Sequence, residues 1–514
     1  MGEIVVSHMH SRRFWTGGIA VAATLAGSFV AAPAMALQGA PADAASFGHT
    51  ARIVVGASER SCTGTLVNPR WVLSAASCFA DATGVVQPGK PKVTTTVTVG
   101  RTDLTQTTGG AVRTAVELVP HPDRDLVMVK LGVGIANVKP VALATAPATA
   151  DENVTAAGFG RTKTTWVPDR LHTASFTATG DASANVSLTA VGDAVICHGD
   201  SGGPILRETG GKQELLAVTS RSWMGGCVGT PATETRTGAV ATRVDDVRTW
   251  ITNTATPVPG DLTGDNKPDL VAVDDTGKLY VYPGTGTGAL GSRTLIGTGG
   301  WAGAAVTHRG DWTGDAMEDV VAIVAGELRV YPNLGTGTLG SAIKILTGLP
   351  TDSKLVNAGD VNRDGHPDLL VQHSNKLYMY AGKSAPTPTV AAPVVVGTSG
   401  WDVMNLSAPG DADKDGRVDL LARDTRDGIL YIYLGLANNL FGDRTEYGHG
   451  YTVTNRPLIA GAADADRNGV ADMWTTAGDG TLKFYKGGSS IHGPIDGSSV
   501  EVGTGGWGSI KSIS

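Results

Sequence analysis

The sequence predicts an all-β protein in two parts: an antiparallel barrel or sandwich over residues 37–254, then a five-bladed β-propeller over residues 261–514. Three observations carry this. Short β-like runs at residues 52–55, 94–99 and 126–130 alternate with Gly, Pro, Asn and Asp turn signals, as many short antiparallel strands require. Five similar cores begin at Asp261, Asp311, Asp360, Asp411 and Asp464, at separations of 50, 49, 51 and 53 residues, and a period near fifty with strand-like runs belongs to propellers. The 70 glycines among 514 residues are spread through short apolar runs, which indicates turn-rich β-structure and not disorder.

Residues 1–36 read as a signal peptide. Arg12-Arg13 supply a basic start, residues 17–30 an apolar stretch and Ala34-Met35-Ala36 a cleavage site. Ser11-Arg12-Arg13 hints at twin-arginine export. The apolar run is too short and too rich in Ala and Gly for an anchor, and no second run of spanning length follows. The mature chain is therefore expected to be secreted, extracellular and free of the membrane. A formal charge of −7 with no Lys/Arg block argues against a nucleic acid partner. Four cysteines without CxxC or Cys/His spacing argue against zinc and fit an oxidising compartment.

Three blocks of the first part carry chemistry. Cys197-His198-Gly199-Asp200-Ser201-Gly202-Gly203-Pro204 resembles the nucleophile loop of the trypsin/chymotrypsin-like serine protease family, Arg124-Asp125-Leu126-Val127-Met128-Val129-Lys130-Leu131 its aspartate strand, and Trp71-Val72-Leu73-Ser74-Ala75-Ala76-Ser77-Cys78 its histidine block, with Ser77 where the histidine belongs. The run 199–203 also satisfies G-x-S-x-G, but Pro204 and the apolar residues after it do not suit the strand–turn–helix elbow of that motif. The resemblance implies a double β-barrel with Ser201 as nucleophile and the N–H groups of Gly199 and Ser201 as oxyanion hole. Asp125 is the group that would orient an imidazole. It also implies disulfides Cys62–Cys78 and Cys197–Cys227 and a specificity pocket formed by Val195, His198, Ser220, Arg221 and Ser222. Val195 stands where trypsin has its basic-residue-selecting aspartate, so an apolar or aromatic group is expected there. Among the histidines, His198 is the best candidate for a recruited base; His49, His121 and His172 match no catalytic block. Ile53 to Val55 are expected as an internal strand, with the mature start at Leu37, whose α-amino group would pair with Asp200.

Residues 245–251 have a helical pattern like the family's terminal helix, and residues 255–260 read as a stiff Pro-containing linker. Each repeat core then places oxygen side chains at offsets 0, 2, 4 and 8: Asp261, Thr263, Asp265 and Asp269; Asp311, Thr313, Asp315 and Asp319; Asp360, Asn362, Asp364 and Asp368; Asp411, Asp413, Asp415 and Asp419; Asp464, Asp466, Asn468 and Asp472. Hard oxygens at alternate positions of a tight loop suit calcium. An EF-hand is excluded at Asp411, because the twelfth position is Ala422 and not a bidentate glutamate. The set resembles FG-GAP/VCBS-type calcium repeats of integrin-like propellers, which implies structural calcium. Gly299-Gly300-Trp301 and Gly400-Trp401 precede Asp311 and Asp411 by ten residues, and Gly505-Gly506-Trp507 is followed only by a short tail. That tail is expected to complete the first blade and close the ring.

The expected function is a secreted serine hydrolase with an incomplete triad, acting through Ser201 and favouring esters over peptides. Amide hydrolysis needs an acid for the departing amine, whereas an alkoxide or phenolate leaves without one. Secreted bacterial proteins of similar build, with this serine for histidine and calcium repeats behind it, are sometimes described as esterases. The alternatives are a non-catalytic extracellular binding or adhesion protein, with carbohydrate or protein on the propeller, and an endopeptidase of apolar specificity with a recruited base. No catalytic cofactor is expected.

Overall fold

The computed structural model describes residues 42–514 apart from 58–59, 181–182, 438–439 and 489–498. The signal segment and the expected new terminus at Leu37 lie outside the described residues. Six strands form a closed barrel: β1 (Thr50–Val55), β2 (Arg60–Asn68), β3 (Trp71–Ser74), β4 (Thr95–Val99), β5 (Ala111–Pro120) and β6 (Val127–Leu131), in the order β1-β2-β3-β6-β5-β4. The run Ile53 to Val55 is internal to β1 and paired on both sides. A second sheet holds β7 (Ala142–Leu143), β8 (Glu152–Gly158), β9 (His172–Gly180), β10 (Asn185–Ala190), β11 (Pro204–Thr209), β12 (Lys212–Ser222) and β13 (Ala239–Arg243). Pairing of β11 with both β8 and β12 closes six of these strands into the second barrel, and β7 adds in parallel to β12.

Each barrel fills with its own small and branched side chains, Ile53, Leu66 and Val97 in the first and Phe176, Leu188 and Leu216 in the second. A third cluster, including Trp71, Leu126, Met128, Leu215, Val244 and Ile251, joins the barrels to the helix Arg248–Ala255. That helix begins three residues later than the sequence pattern and takes up Ala255. Asp245 and Asp246 are held outside it by ion pairs with Arg243 and Arg124, both at 2.8 Å. Both disulfides form with the expected partners, Cα atoms 6.3 Å apart for Cys62–Cys78 and 5.8 Å for Cys197–Cys227. Among the described residues no helix is long and apolar enough to cross a membrane.

The remainder is a five-bladed propeller of four-stranded antiparallel sheets. The C-terminal strand Ile510–Ile513 pairs with Leu270–Asp274 and supplies the innermost strand of the first blade, so the ring closes and the strand edge is removed. The glycine-aromatic spacing in the repeats has a steric cause. A Cβ on Gly297, Gly397 or Gly503 would come within 2.3 Å of the indole nitrogen of Trp301, Trp401 or Trp507, and each indole then packs on a tyrosine of the next blade round: Tyr331, Tyr433 and Tyr282.

The first barrel rests directly on the first two aspartate loops. Lys130, at the end of β6 and 3% exposed, donates from Nζ to the Gly264 carbonyl at 2.9 Å and to Asn266 Oδ1 at 2.7 Å, with Glu117 at 3.6 Å. Arg70, just before β3, lies so close that a side chain on Gly264 would strike its guanidinium. Burial lowers the pKa of both cations, and Asp261 and Glu117 oppose that shift. Replacing Lys130 with Met strips two half-buried acceptors of their charged donor, at a cost of about 1–3 kcal/mol. Calorimetry of Lys130→Met should show a lowered melting temperature, with barrel and propeller melting further apart. A wild-type profile would mean that the junction does not depend on this ammonium.

Candidate functional site

The loop between the disulfide Cys197–Cys227 and β11 is fixed through its carbonyl groups. The His198 carbonyl accepts from the Arg161 N–H (2.8 Å), the Gly199 carbonyl from the Thr63 hydroxyl (2.8 Å), the Asp200 carbonyl from the Gly203 N–H (2.9 Å) and the Ser201 carbonyl from the Thr63 N–H (3.0 Å). In a planar trans peptide the N–H points opposite to the preceding carbonyl. The N–H groups of Gly199 and Ser201 are thereby set, and among the described residues neither has an acceptor. Gly202, at φ +85°, admits no side chain, since a Cβ there would lie 2.1 Å from Ser74 Oγ and 2.2 Å from the Thr63 carbonyl.

Ser77 lies in the tight turn Ala76–Cys78 that follows β3, and Asp125 lies just before β6. The backbone N–H of Ser77 donates to Asp125 Oδ1 at 2.7 Å and its hydroxyl to Oδ2 at 3.1 Å; the Ser220 hydroxyl donates to Oδ2 at 2.6 Å. Ser201 Oγ donates to the Ser220 carbonyl at 3.4 Å. The carboxylate thus holds both the backbone N–H and the hydroxyl of Ser77. Ser220 is the bridge between Asp125 and Ser201, and because its carbonyl can only accept, no proton passes along that path.

Ser77, His198, Gly199 and Ser201 line one cleft of about 530 Å³. Ser77 also lines a second hollow with Asp125, Ser220 and Arg221. Of the expected pocket residues, Val195 is fully buried against Cys197, Cys227 and Met224 and does not line the cleft. The Ser222 hydroxyl donates to the Ile196 carbonyl at 2.6 Å and braces the wall. Arg221 is exposed beside Asp125, not beside Ser201. Of the described histidines only His198 reaches the cleft, where partial burial and the neighbouring Arg161 lower its pKa. His121 packs edge-on against Trp250, and His49 is buried and lowered to about 4. Sequence reasoning missed the rim: Trp166, 55% exposed, carries the Arg161 guanidinium at 4.2 Å, with Val167 beside it. A Cβ on Gly229 would strike the Trp166 ring, a contact between loops distant in sequence.

In the propeller, the first aspartate of each core accepts backbone N–H groups of its own loop, as Asp411 does from Asp415 and Gly416. The last aspartate, 0–2% exposed in all five repeats, takes one N–H from its loop (two at Asp319, from Trp312 and Thr313) and one from the following hairpin, the latter being Gly284, Asn333, Gly382, Gly435 or Gly487. Carboxylate oxygens of Asp411, Asp413 and Asp419, and of Asp464, Asp466 and Asp472, lie within 4.8 Å of one another. Burial, reinforced by the neighbouring carboxylates, pushes Asp419 up to about 6 and Asp472 to about 7. Such crowded oxygens accommodate a hard divalent cation.

Residues 36–251 match the family model described as Trypsin, and residues 311–371 and 360–422 match an FG-GAP-like repeat. The chain is similar to serine protease SP24D of Anopheles gambiae, 27% identical over 189 residues that cover 33% of this chain and 66% of that protein. It is also similar to chymotrypsin-like elastase family member 1 of Macaca fascicularis and of Felis catus, 29% and 28% identical, each match covering 38% of this chain and 78% of the relative.

Asp200 yields a pH prediction. It is 1% exposed and held by the N–H groups of Cys197 (2.9 Å) and Gly160 (2.8 Å), and burial raises its pKa from 3.8 to about 7. The folded chain therefore keeps this proton over a range in which the unfolded chain has lost it. The contribution is full below about pH 4 and is lost as the pH rises to about 7, by up to roughly 4 kcal/mol. In a chain whose α-amino group is not seated beside Asp200, denaturation midpoints should fall from pH 4 to pH 7 more steeply than in Asp200→Asn. Parallel profiles would show that the carboxyl is already compensated.

Proposed function

Because residues 36–251 form a trypsin-family domain and residues 311–422 carry FG-GAP-like repeats, we propose that the protein is a secreted serine hydrolase that transfers acyl groups through Ser201 and favours esters over peptides. The observation that carries this reading is the set of pinned carbonyls that leaves the Gly199 and Ser201 N–H groups available beside Ser201 in the cleft. Each such donor is worth about 10²–10³-fold on a developing oxyanion. The hydroxyl at Ser77 cannot carry a proton from nucleophile to leaving group at neutral pH, so the amine of a peptide departs poorly and an alkoxide or phenolate departs unaided. Trp166 and Val167 at the rim offer apolar surface to an acyl or aryl group.

Hydrolysis of p-nitrophenyl acyl esters is the experiment. The rate should fall by about 10²-fold or more in Ser201→Ala, and equal rates in the two proteins would place the chemistry elsewhere. Ser77→His should raise hydrolysis by about 10²–10⁴-fold, with anilides gaining more than activated esters. A folded Ser77→His protein with no gain on either would favour a binding role for the domain. A second reading, a peptidase that uses His198 as base, is favoured by the position of that ring in the cleft and by its lowered pKa. It requires His198→Ala to abolish activity, whereas the first reading requires ester hydrolysis to persist.

The loops beginning at Asp261, Asp311, Asp360, Asp411 and Asp464 would hold calcium as a structural ion. The gathered oxygens of the fourth and fifth loops support this most directly. EDTA should lower the propeller's melting temperature and excess calcium should restore it; an unchanged melt would refute the assignment.

A further inference from the structure

The position two residues before each loop aspartate is Pro259, Ala358, Pro409 or Ala462 in four repeats, and Arg309 in the second. Arg309 has φ +96°, a region that long L side chains rarely adopt and in which strain persists only where the surroundings hold it. Its side chain crosses the central channel. Nη2 donates to the Gly461 carbonyl on the innermost strand of the fifth blade at 3.0 Å, and Nη1 lies 3.7 Å from where a Cβ on Gly410, in the fourth, would sit. The residue is 7% exposed, and burial lowers its pKa to about 10. Glu318 is the carboxylate that faces it, but the oxygens of Glu318 already accept from the Gly260 N–H at 2.7 Å and pair with His308 Nδ1 at 3.1 Å. Among the described residues the guanidinium's remaining N–H groups have no acceptor.

Above Arg309, on the aspartate-loop face, a cavity of about 630 Å³ opens with walls that include Pro257, Met317, Ala358 and Val418. Asp311, Asp360 and Asp411 also border it, but their carboxylates are turned into their own loops, where they take backbone N–H groups. Arg417 on the same lining is engaged by the Gly435 carbonyl and Asp415, and Arg363 is exposed at the mouth. A hollow of this size with apolar walls and the oriented Arg309 charge at its base is the form of a small-molecule site. We infer that the mouth of the propeller channel binds a small organic monocarboxylate, its carboxylate on the free N–H groups of Arg309 and its apolar body in the cavity. The planar guanidinium fork matches a carboxylate. The second charge of a dianion such as phosphate would find no match on this one guanidinium fork, and a neutral ligand would leave the donors unmatched.

Calorimetric titration of the full chain with hexanoate and benzoate tests this, with hexanol and inorganic phosphate as comparisons. Saturable one-to-one binding of a carboxylate, with hexanol and phosphate weaker, is expected. Arg309→Met should weaken it by about tenfold or more, the loss of a charge-assisted pair. If Arg309→Met does not fold, Arg363→Glu, an exposed position at the same mouth, should weaken binding several-fold. Absence of saturable carboxylate binding to the wild-type chain, equal affinity in a folded Arg309→Met or, failing that, in Arg363→Glu, or preference for phosphate would overturn the inference.

Discussion

The antiparallel pairing of β3 with β6 is the constraint on which both ends of the first barrel depend. Its register sets Trp71 opposite Lys130 and Ser74 opposite Val127. At one end the two strands deliver Ser77 and Asp125 to each other, so that the Ser77 N–H meets the carboxylate at 2.7 Å. At the other end they present Arg70 and Lys130 to the aspartate loops. A strand pair buried on both sides is close-packed and transmits strain along its length. The propeller therefore supports the elements that hold the candidate site, although none of its residues lines the cleft beside Ser201.

The Asp125 carboxylate is satisfied locally. In a complete triad the aspartate would hold the ring; here it accepts two hydrogen bonds from Ser77 and one from Ser220, so the carboxylate is not left unmatched. The oxyanion loop is stabilised by other groups, chiefly Thr63 and Arg161, and needs no histidine for its shape. The loop around Ser201 and the Ser77–Asp125 contact are therefore held by separate sets of hydrogen bonds. On the proposed reading, this separation lets the backbone donors persist without a proton-transferring side chain at position 77.

Much of this was legible in the sequence because it is written in local patterns. The glycines at 199, 202 and 203 and the five aspartate cores each answer to a backbone geometry within a few residues, the cysteine pairing follows from the family resemblance, and the C-terminal strand is readable from the phase of the repeats. What was not legible depends on contacts between distant segments. Trp166 acquires its place from Arg161 and Gly229, and Val195 sinks behind a disulfide instead of lining the cleft. Arg309 reads in the sequence as one surface cation among 41 lysines and arginines; only ring closure turns it across a channel. The start of the terminal helix was misplaced because Asp245 and Asp246 resemble helix-favouring residues until Arg243 and Arg124 engage them.

Covalent labelling by a fluorophosphonate tests the central claim most directly, because it requires a nucleophilic serine and an oxyanion hole but no leaving-group acid. Peptide mapping of the labelled wild-type protein should find the adduct on Ser201 and nowhere else. A folded protein that remains unlabelled at Ser201 would contradict the hydrolase reading and leave the domain as a binding surface.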